Sequence, residues 1–308
     1  MIDHCINRRT LLGLLAGGAV TAALPGFGHA AAPAPLMRPI PKSGERIPAV
    51  GMGTWITFNV GQNTALRDQR TEVLRTFFDM GGGMVDSSPM YGSAEDVMGY
   101  CLERLPSTKG LFSATKVWTP SDSEGVEQVA DSMRLWGLNK FDLFQVHNLV
   151  NWENHLAMLR ERKQQGDIRY IGITTSHGGR HDEMLRIMNT KDIDFVQFTY
   201  NIADREAERR LLPTAADKGI ATIINRPYQR GGLISATAGK PLPAWVSEIG
   251  ITSWAQYLLT FVISHPAVTC AIPATSKIEH MAENMGRMAA PLPAPKLRNR
   301  MIQDFERL

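Results

Sequence analysis

From residue 47 onward the chain alternates short apolar runs with longer amphipathic stretches, and it does so eight times. The apolar runs read as strands at 47–55, 84–86, 111–116, 142–147, 168–174, 195–200, 220–225 and 268–272. Between them, helical spacing of apolar residues predicts helices at 67–80, 94–105, 124–136, 152–165, 182–188, 205–218 and 251–264, with a last one from about residue 277. In the first helix Val73, Leu74, Phe77 and Phe78 share one face. Strictly alternating strands and helices build a parallel sheet covered by helices, either open or closed. An open doubly wound sheet calls for a G-x-G-x-x-G turn after its first strand, and none is present. The pattern therefore predicts a closed (β/α)8 TIM barrel in a single domain, for which about 250 residues is typical.

The residues before the barrel have a different character. Asn7-Arg-Arg-Thr-Leu-Leu12 precedes an apolar run over 11–24 that is broken by Gly13, Gly17 and Gly18, and small residues end at Ala32. A basic start, a short apolar centre and a small-residue cleavage site make a secretory signal peptide, with cleavage expected near Ala30 or Ala32. The run is too short and glycine-rich to span a membrane stably. Arg8-Arg9 resembles the bacterial twin-arginine (Tat) signal, which makes the Tat export machinery an expected partner and the periplasm, or another exported location, the expected destination. The expected boundaries are thus a leader at 1–32, a Pro-rich and basic linker at 33–45, and the barrel at 46–308.

A formal charge of +3 without Lys/Arg runs gives no basis for a nucleic-acid partner. Cys101 and Cys270 read as separate buried thiols. No Cys/His ligand spacing or H-x-H cluster is present, so no metal site is expected. Gly81-Gly-Gly83 follows a helix and precedes a strand, the wrong order for a phosphate loop, and reads as a helix cap and turn.

In a parallel barrel, chemistry is placed at the carboxyl ends of the strands. Asp86 ends the second strand, Tyr91 follows in a Pro/Gly turn, Lys116 ends the third strand and His147 ends the fourth. Taken singly, Lys116 would be a surface lysine, Tyr91 a loop aromatic and His147 a core histidine. Taken together, with their order and spacing, they resemble the catalytic tetrad of the aldo-keto reductases. The same resemblance runs from Pro48 to Asn284 through several landmarks. These are Gly51-Met-Gly-Thr-Trp55, Asp86-Ser-Ser-Pro-Met-Tyr-Gly92, Thr115-Lys-Val-Trp118, Ile168-Arg-Tyr-Ile-Gly-Ile173, Gln197-Phe-Thr-Tyr-Asn201 and Ile272-Pro-Ala-Thr-Ser-Lys-Ile-Glu-His-Met-Ala-Glu-Asn284.

The resemblance implies an oxidoreductase that moves a hydride between NADP(H) and a carbonyl/alcohol pair. It implies Tyr91 as general acid, Lys116 as the group that tunes it, Asp86 as the partner of Lys116, and His147 as the group orienting the carbonyl oxygen. An ammonium beside the phenol is expected to lower the tyrosine pKa from its usual value of about 10.

Cofactor residues are implied in the same way. Thr54, Trp55, Thr174, Thr175 and Gln197 correspond to the nicotinamide end, and Asn225 and Arg226 open the segment that meets the pyrophosphate, with Arg230 also suited to phosphate oxygens. Thr174-Thr175 stands where the family usually has Ser-Asn, and Asn225 stands where it often has a tyrosine stacked on nicotinamide. Either that stacking is lost or Tyr228 supplies it. Glu283 and Asn284 correspond to the adenine contacts. Ala274, Thr275 and His280 replace residues that often hold a 2′-phosphate, leaving Lys277 and Thr275 as substitutes. NADP(H) is the expected cofactor, with NAD(H) as the alternative.

Four residues separate His147 from the helix at Trp152, and the tail at 296–308 is short. A shallow, open pocket lined by Trp55, Tyr91 and Trp118 is expected, suited to an aldehyde, a ketone or a sugar-like carbonyl. A competing reading keeps the fold and cofactor pocket but makes the chain a cofactor-bound sensor or binding subunit. The intact tetrad favours the enzyme.

Overall fold

The computed structural model describes residues 35–176 and 178–308. The expected leader at 1–32 lies outside the described residues, as do the first two positions of the expected linker. The rest of that linker is built into the fold. Strand β1 (Met37–Pro39) pairs antiparallel with β2 (Arg46–Pro48). The tip of this hairpin is tied to the barrel wall, with Tyr170 Oη donating to Glu45 Oε2 at 2.6 Å.

Eight parallel strands follow: β3 (Met52–Gly53), β4 (Met84–Asp86), β5 (Phe112–Val117), β6 (Phe141–Val146), β7 (Ile168–Thr174), β8 (Phe195–Thr199), β9 (Ala221–Asn225) and β10 (Cys270–Ala271). Each hydrogen-bonds its sequence neighbour, and a parallel bridge from Val50 to Ala271 joins the two ends, so the sheet closes. The first strand is shorter than expected. Residues 47 and 48, assigned to it from their apolar pattern, belong instead to the hairpin, because they are already paired with Arg38 and Met37.

The barrel interior follows the two-residue period of the strands. Near its amino-terminal end Ile40 and Ile47 of the hairpin pack with Met84, Phe112, Ala114, Leu143, Tyr170, Phe195, Ala221 and Ile223 as one apolar cluster. Two residues further along the same strands, the period brings Asp86, Lys116, Gln145, Gln197 and Asn225 to the carboxyl end. The hairpin therefore plugs the floor on which the polar layer rests.

The helices surround the strands and bury the larger apolar cluster between the two layers. Helix α1 (Thr64–Asp79) begins three residues before the expected start because Asn63 caps it, accepting from Leu66 N at 3.0 Å. Helices α2 (Ala94–Arg104), α3 (Asp122–Trp136), α4 (Trp152–Gln165) and α5 (His181–Thr190) lie where the periodicity predicts. Helix α6 (Leu211–Lys218) is shorter than predicted, with a short 3-10 turn at Glu206–Glu208 before it. Pro213 explains the late start: without an N–H it fits only the first turn of a helix.

Between β9 and α8 (Trp254–Ile263) the chain adds a short helix α7 (Gly232–Thr237) and a 3-10 segment at Ala244–Ile249. Helix α9 (Ile278–Gly286) follows the last strand. The expected short tail is itself a helix, α10 (Pro295–Glu306). It is pinned by Met301, fully buried, and by the hydrogen bond from Tyr257 Oη to Met301 O at 2.8 Å. Cys101 and Cys270 are buried, unpaired thiols, as expected.

Candidate active site

At the carboxyl ends of the strands, Lys116 Nζ donates to Asp86 Oδ2 at 2.6 Å and to the Ser87 carbonyl at 2.6 Å. Both side chains are essentially inaccessible to solvent. The other carboxylate oxygen of Asp86 accepts from Gln145 Nε2 at 3.2 Å and Gln197 Nε2 at 3.0 Å. A buried carboxylate that meets an ammonium and two amides in this way has its charge and lone pairs satisfied. Burial pushes the Lys116 pKa down, but Asp86 and then Tyr91 outweigh it and leave the group above its ordinary value. Lys116 is thus a permanent cation at neutral pH.

Tyr91 sits above this pair, on the 3-10 turn Pro89–Tyr91 that Ser88 caps by accepting from Met90 N. The Lys116 Nζ lies 5.0 Å from the centre of the Tyr91 ring. Proximity to the ammonium was expected to lower the tyrosine pKa; the structure corrects this. Burial raises it, Lys116 lowers it, Asp86 raises it again, and the sum lies above the ordinary tyrosine value. The physical reason is first the burial of the phenol, which disfavours a phenolate, and then Asp86, which offsets part of the field of Lys116. Tyr91 is a firmly protonated donor.

His147 follows β6, with its ring edge-on to Tyr91 at 5.7 Å between centroids. Its Nδ1 lies 2.9 Å from Ser88 Oγ. That hydroxyl also accepts from Met90 N; when its own proton goes to Nδ1, the neutral ring carries its N–H on Nε2. Burial, and then the Lys116 charge, hold the His147 pKa well below the ordinary imidazole value. The ring is therefore neutral, a hydrogen-bond donor rather than an acid.

A cleft lined by Thr54, Trp55, Tyr91, His147, Gln197, Asn225, Arg226 and Arg230 opens over these groups. The structure brings together all four tetrad residues, although Lys116 lies beneath the cleft floor. Thr174 and Thr175 are buried below it. Thr174 Oγ1 accepts from Asn148 N at 3.2 Å, and Thr175 Oγ1 has no partner. Asn225 is held between strands, accepting from Thr199 Oγ1 at 2.8 Å and donating to Thr175 O at 2.8 Å.

Tyr228 also lines the cleft and donates to Asn284 Oδ1 at 2.7 Å. Glu283 accepts from Ser253 Oγ. Thr275 is buried, and Lys277 and His280 are exposed at the start of α9. Trp118, expected as a wall, is 41% exposed and does not line the cleft.

Residues missed from the sequence are Ser88, which hydrogen-bonds His147 Nδ1, and Asn148 and Ser176, which line the cleft. Asn148 adjoins His147 in the chain and adopts a left-handed backbone (φ 52), a strained geometry common at functional sites. Ser88 sits inside the Asp-Ser-Ser-Pro motif, a signal that could have found it.

The family model for the aldo/keto reductase family matches residues 49–299. The chain belongs to the aldo/keto reductase family. Among curated relatives, it is 27% identical over 199 residues to aldo-keto reductase YhdN of Bacillus subtilis, a match spanning 59% of each chain. It is 29% identical over 303 residues to L-glyceraldehyde 3-phosphate reductase of Escherichia coli K12, covering 79% of this chain and 85% of the relative. An aldo-keto reductase from Klebsiella pneumoniae, solved in complex with NADPH, superimposes with a TM-score of 0.74 at 21% identity, covering 88% of this chain and 95% of that one. These likenesses carry the barrel; the tetrad geometry described above comes from this chain's own residues.

The neutral His147 generates a prediction for stability. Its folded pKa is depressed, so below the ordinary value of about 6.5 the unfolded chain takes up a proton that the folded chain refuses. The unfolding free energy should fall as the pH drops below 6.5, by about 1 kcal/mol per pH unit from this group. Urea unfolding at pH 7.5 and 5.5 should show a smaller acid-side loss for His147→Gln than for wild type. Equal losses in the two proteins would show that His147 is protonated in the fold.

Proposed function

We propose that this protein reduces the carbonyl of a small aldehyde, ketone or sugar-like substrate with NADP(H). The observation that carries this reading is the buried Lys116–Asp86 pair beneath the protonated Tyr91, with neutral His147 alongside. NADPH in the Klebsiella structure, and the activity named for the Escherichia coli relative, support the cofactor and the reaction class.

The residues present fit such a dinucleotide. Thr175 Oγ1 is a buried polar atom without a partner beneath the cleft, suited to the carboxamide. Gln197 and Thr174 flank it, and Thr54, Trp55 and Asn225 complete that end. Arg226 supplies a cation for phosphate oxygens. Exposed Lys277 and His280 beside Thr275, at the amino end of α9, suit a 2′-phosphate. Glu283 and Asn284 hold the adenine end. When bound, the reduced nicotinamide supplies the hydride.

The chain's own residues do the rest. His147 Nε2–H donates to the carbonyl oxygen and orients it beside the Tyr91 hydroxyl. Tyr91 gives its proton to the oxygen as negative charge develops there. Lys116, already a cation, stabilises the phenolate left behind, and Asp86 with Gln145 and Gln197 keeps that cation in place. A tyrosine held protonated at neutral pH suits the reductive direction, which uses a proton donor, more than the oxidative one, which uses a phenolate.

A sensor or binding subunit would have no use for a proton donor set over a buried ion pair. Tyr91→Phe should lower kcat for carbonyl reduction by about a thousandfold, within the usual range for a lost general acid, with NADPH binding retained. Wild-type protein that binds NADPH but reduces no aldehyde, ketone or sugar would favour the sensor.

We also infer, from the sequence of the leader, export by the Tat route with the dinucleotide acquired before transport. Replacing Arg8 and Arg9 together by Lys should retain the precursor in the cytoplasm. Unchanged delivery to the periplasm would contradict this.

A further inference from the structure

The loop after β9 carries an arginine that no step of the reduction uses. Arg230 extends across the mouth of the cleft and lays its guanidinium over the Trp55 ring, with Cζ 4.4 Å from the ring centre. Its backbone is left-handed (φ 57), as are those of Arg226 (φ 51) and Gln229 (φ 46) in the same loop. Three non-glycine residues in that region are costly together, and such geometry persists where the surroundings hold it for a purpose.

Among the described residues, neither Arg226 nor Arg230 donates a side-chain hydrogen bond, and neither has a carboxylate within ion-pair distance. Arg169, Arg205 and Arg298 are paired with acids, and Arg38, Arg70 and Arg287 at least donate to backbone carbonyls. The one acid lining the cleft, Asp86, is committed to Lys116. Within the cleft lining the two guanidiniums therefore have no paired acid, and of the acids only Asp204, from outside the lining, acts on Arg226.

The stacking geometry also matters. A guanidinium that uses its face on an aromatic ring keeps its N–H donors free at the edge, in the fork that matches a carboxylate or a phosphate. Arg230, Trp55 and Tyr91 line the same cleft, so the guanidinium shares the space in which the carbonyl would meet the Tyr91 hydroxyl.

We propose that Arg230 binds an anionic substituent on the carbonyl substrate, so that the enzyme prefers carbonyl compounds bearing a carboxylate or phosphate. The proposal rests on the reductase reading above. The phosphates of the dinucleotide share this chemistry, and the test must separate the two sources.

The probes are 4-carboxybenzaldehyde and 4-formylbenzamide, alike in shape and different by one negative charge. With NADPH saturating, wild type should show the higher kcat/KM for the acid. Arg230→Gln should lower the ratio of acid to amide by roughly tenfold, the size expected for one charge-assisted hydrogen-bonded pair that is partly exposed to water. NADPH affinity, read by cofactor fluorescence, should stay near the wild-type value.

An unchanged ratio with weakened NADPH binding would overturn the proposal and assign the guanidinium to the dinucleotide. An unchanged ratio with unchanged NADPH binding would overturn it as well. If wild type reduces neither aldehyde, turnover of these two probes does not report the preference. Calorimetric binding of 4-(hydroxymethyl)benzoate and 4-(hydroxymethyl)benzamide to NADP+-saturated protein then decides the point. A preference for the acid that is lost in Arg230→Gln sustains the anion site, and equal binding overturns it.

Discussion

The ion pair between Lys116 and Asp86 is the interaction on which the site depends. Two charges removed from water are tolerable only when each is fully answered, and removing one partner typically costs about 3–5 kcal/mol. Here the answer comes from several strands: Asp86 from β4, Lys116 from β5, Gln145 from β6 and Gln197 from β8. A four-strand requirement of this kind is met only if the barrel closes in register. The chemistry and the fold therefore impose the same constraint, and the apolar floor supplied by the hairpin plug keeps water from reaching the pair from below.

The pair also divides the labour between the two groups above it. A lysine alone beneath a phenol would pull the tyrosine toward phenolate. With Asp86 attached, the cation is largely balanced in the resting state, and burial leaves Tyr91 protonated. His147 feels the same burial and the residual positive charge in the opposite sense, and stays neutral. In the proposed reduction one side chain serves as a reservoir for a proton and the other as a fixed donor. Neither property belongs to the residue type; both belong to the environment.

Much of this was legible in the sequence. The strand–helix alternation gave the barrel, and the two-residue period explains why Asp86, Lys116 and Gln197 share its interior. The failures have particular causes. Pro48 and the Pro-rich stretch before it read as a linker and an early barrel strand, yet pairing between residues eleven apart makes a hairpin. Helix α10 has a polar sequence that follows two prolines and starts on a third, and its anchors are long-range contacts to Tyr257 and Glu208 that no local pattern announces. The direction of the Tyr91 shift was misjudged because it is set by a competition between burial and a half-neutralised ammonium, which spacing cannot weigh. Ser88 and Asn148 were passed over because each has an unremarkable neighbour-level role until the loops meet.

The most direct test of the account is the pH dependence of kcat/KM for NADPH-driven carbonyl reduction. If Tyr91 is the proton donor and His147 a neutral orienting group, the rate should hold through pH 6–9 and decline only above the ordinary tyrosine value of about 10. A decline through pH 6.5 or below, the signature of an imidazolium giving up its proton, would contradict it and make His147 the acid.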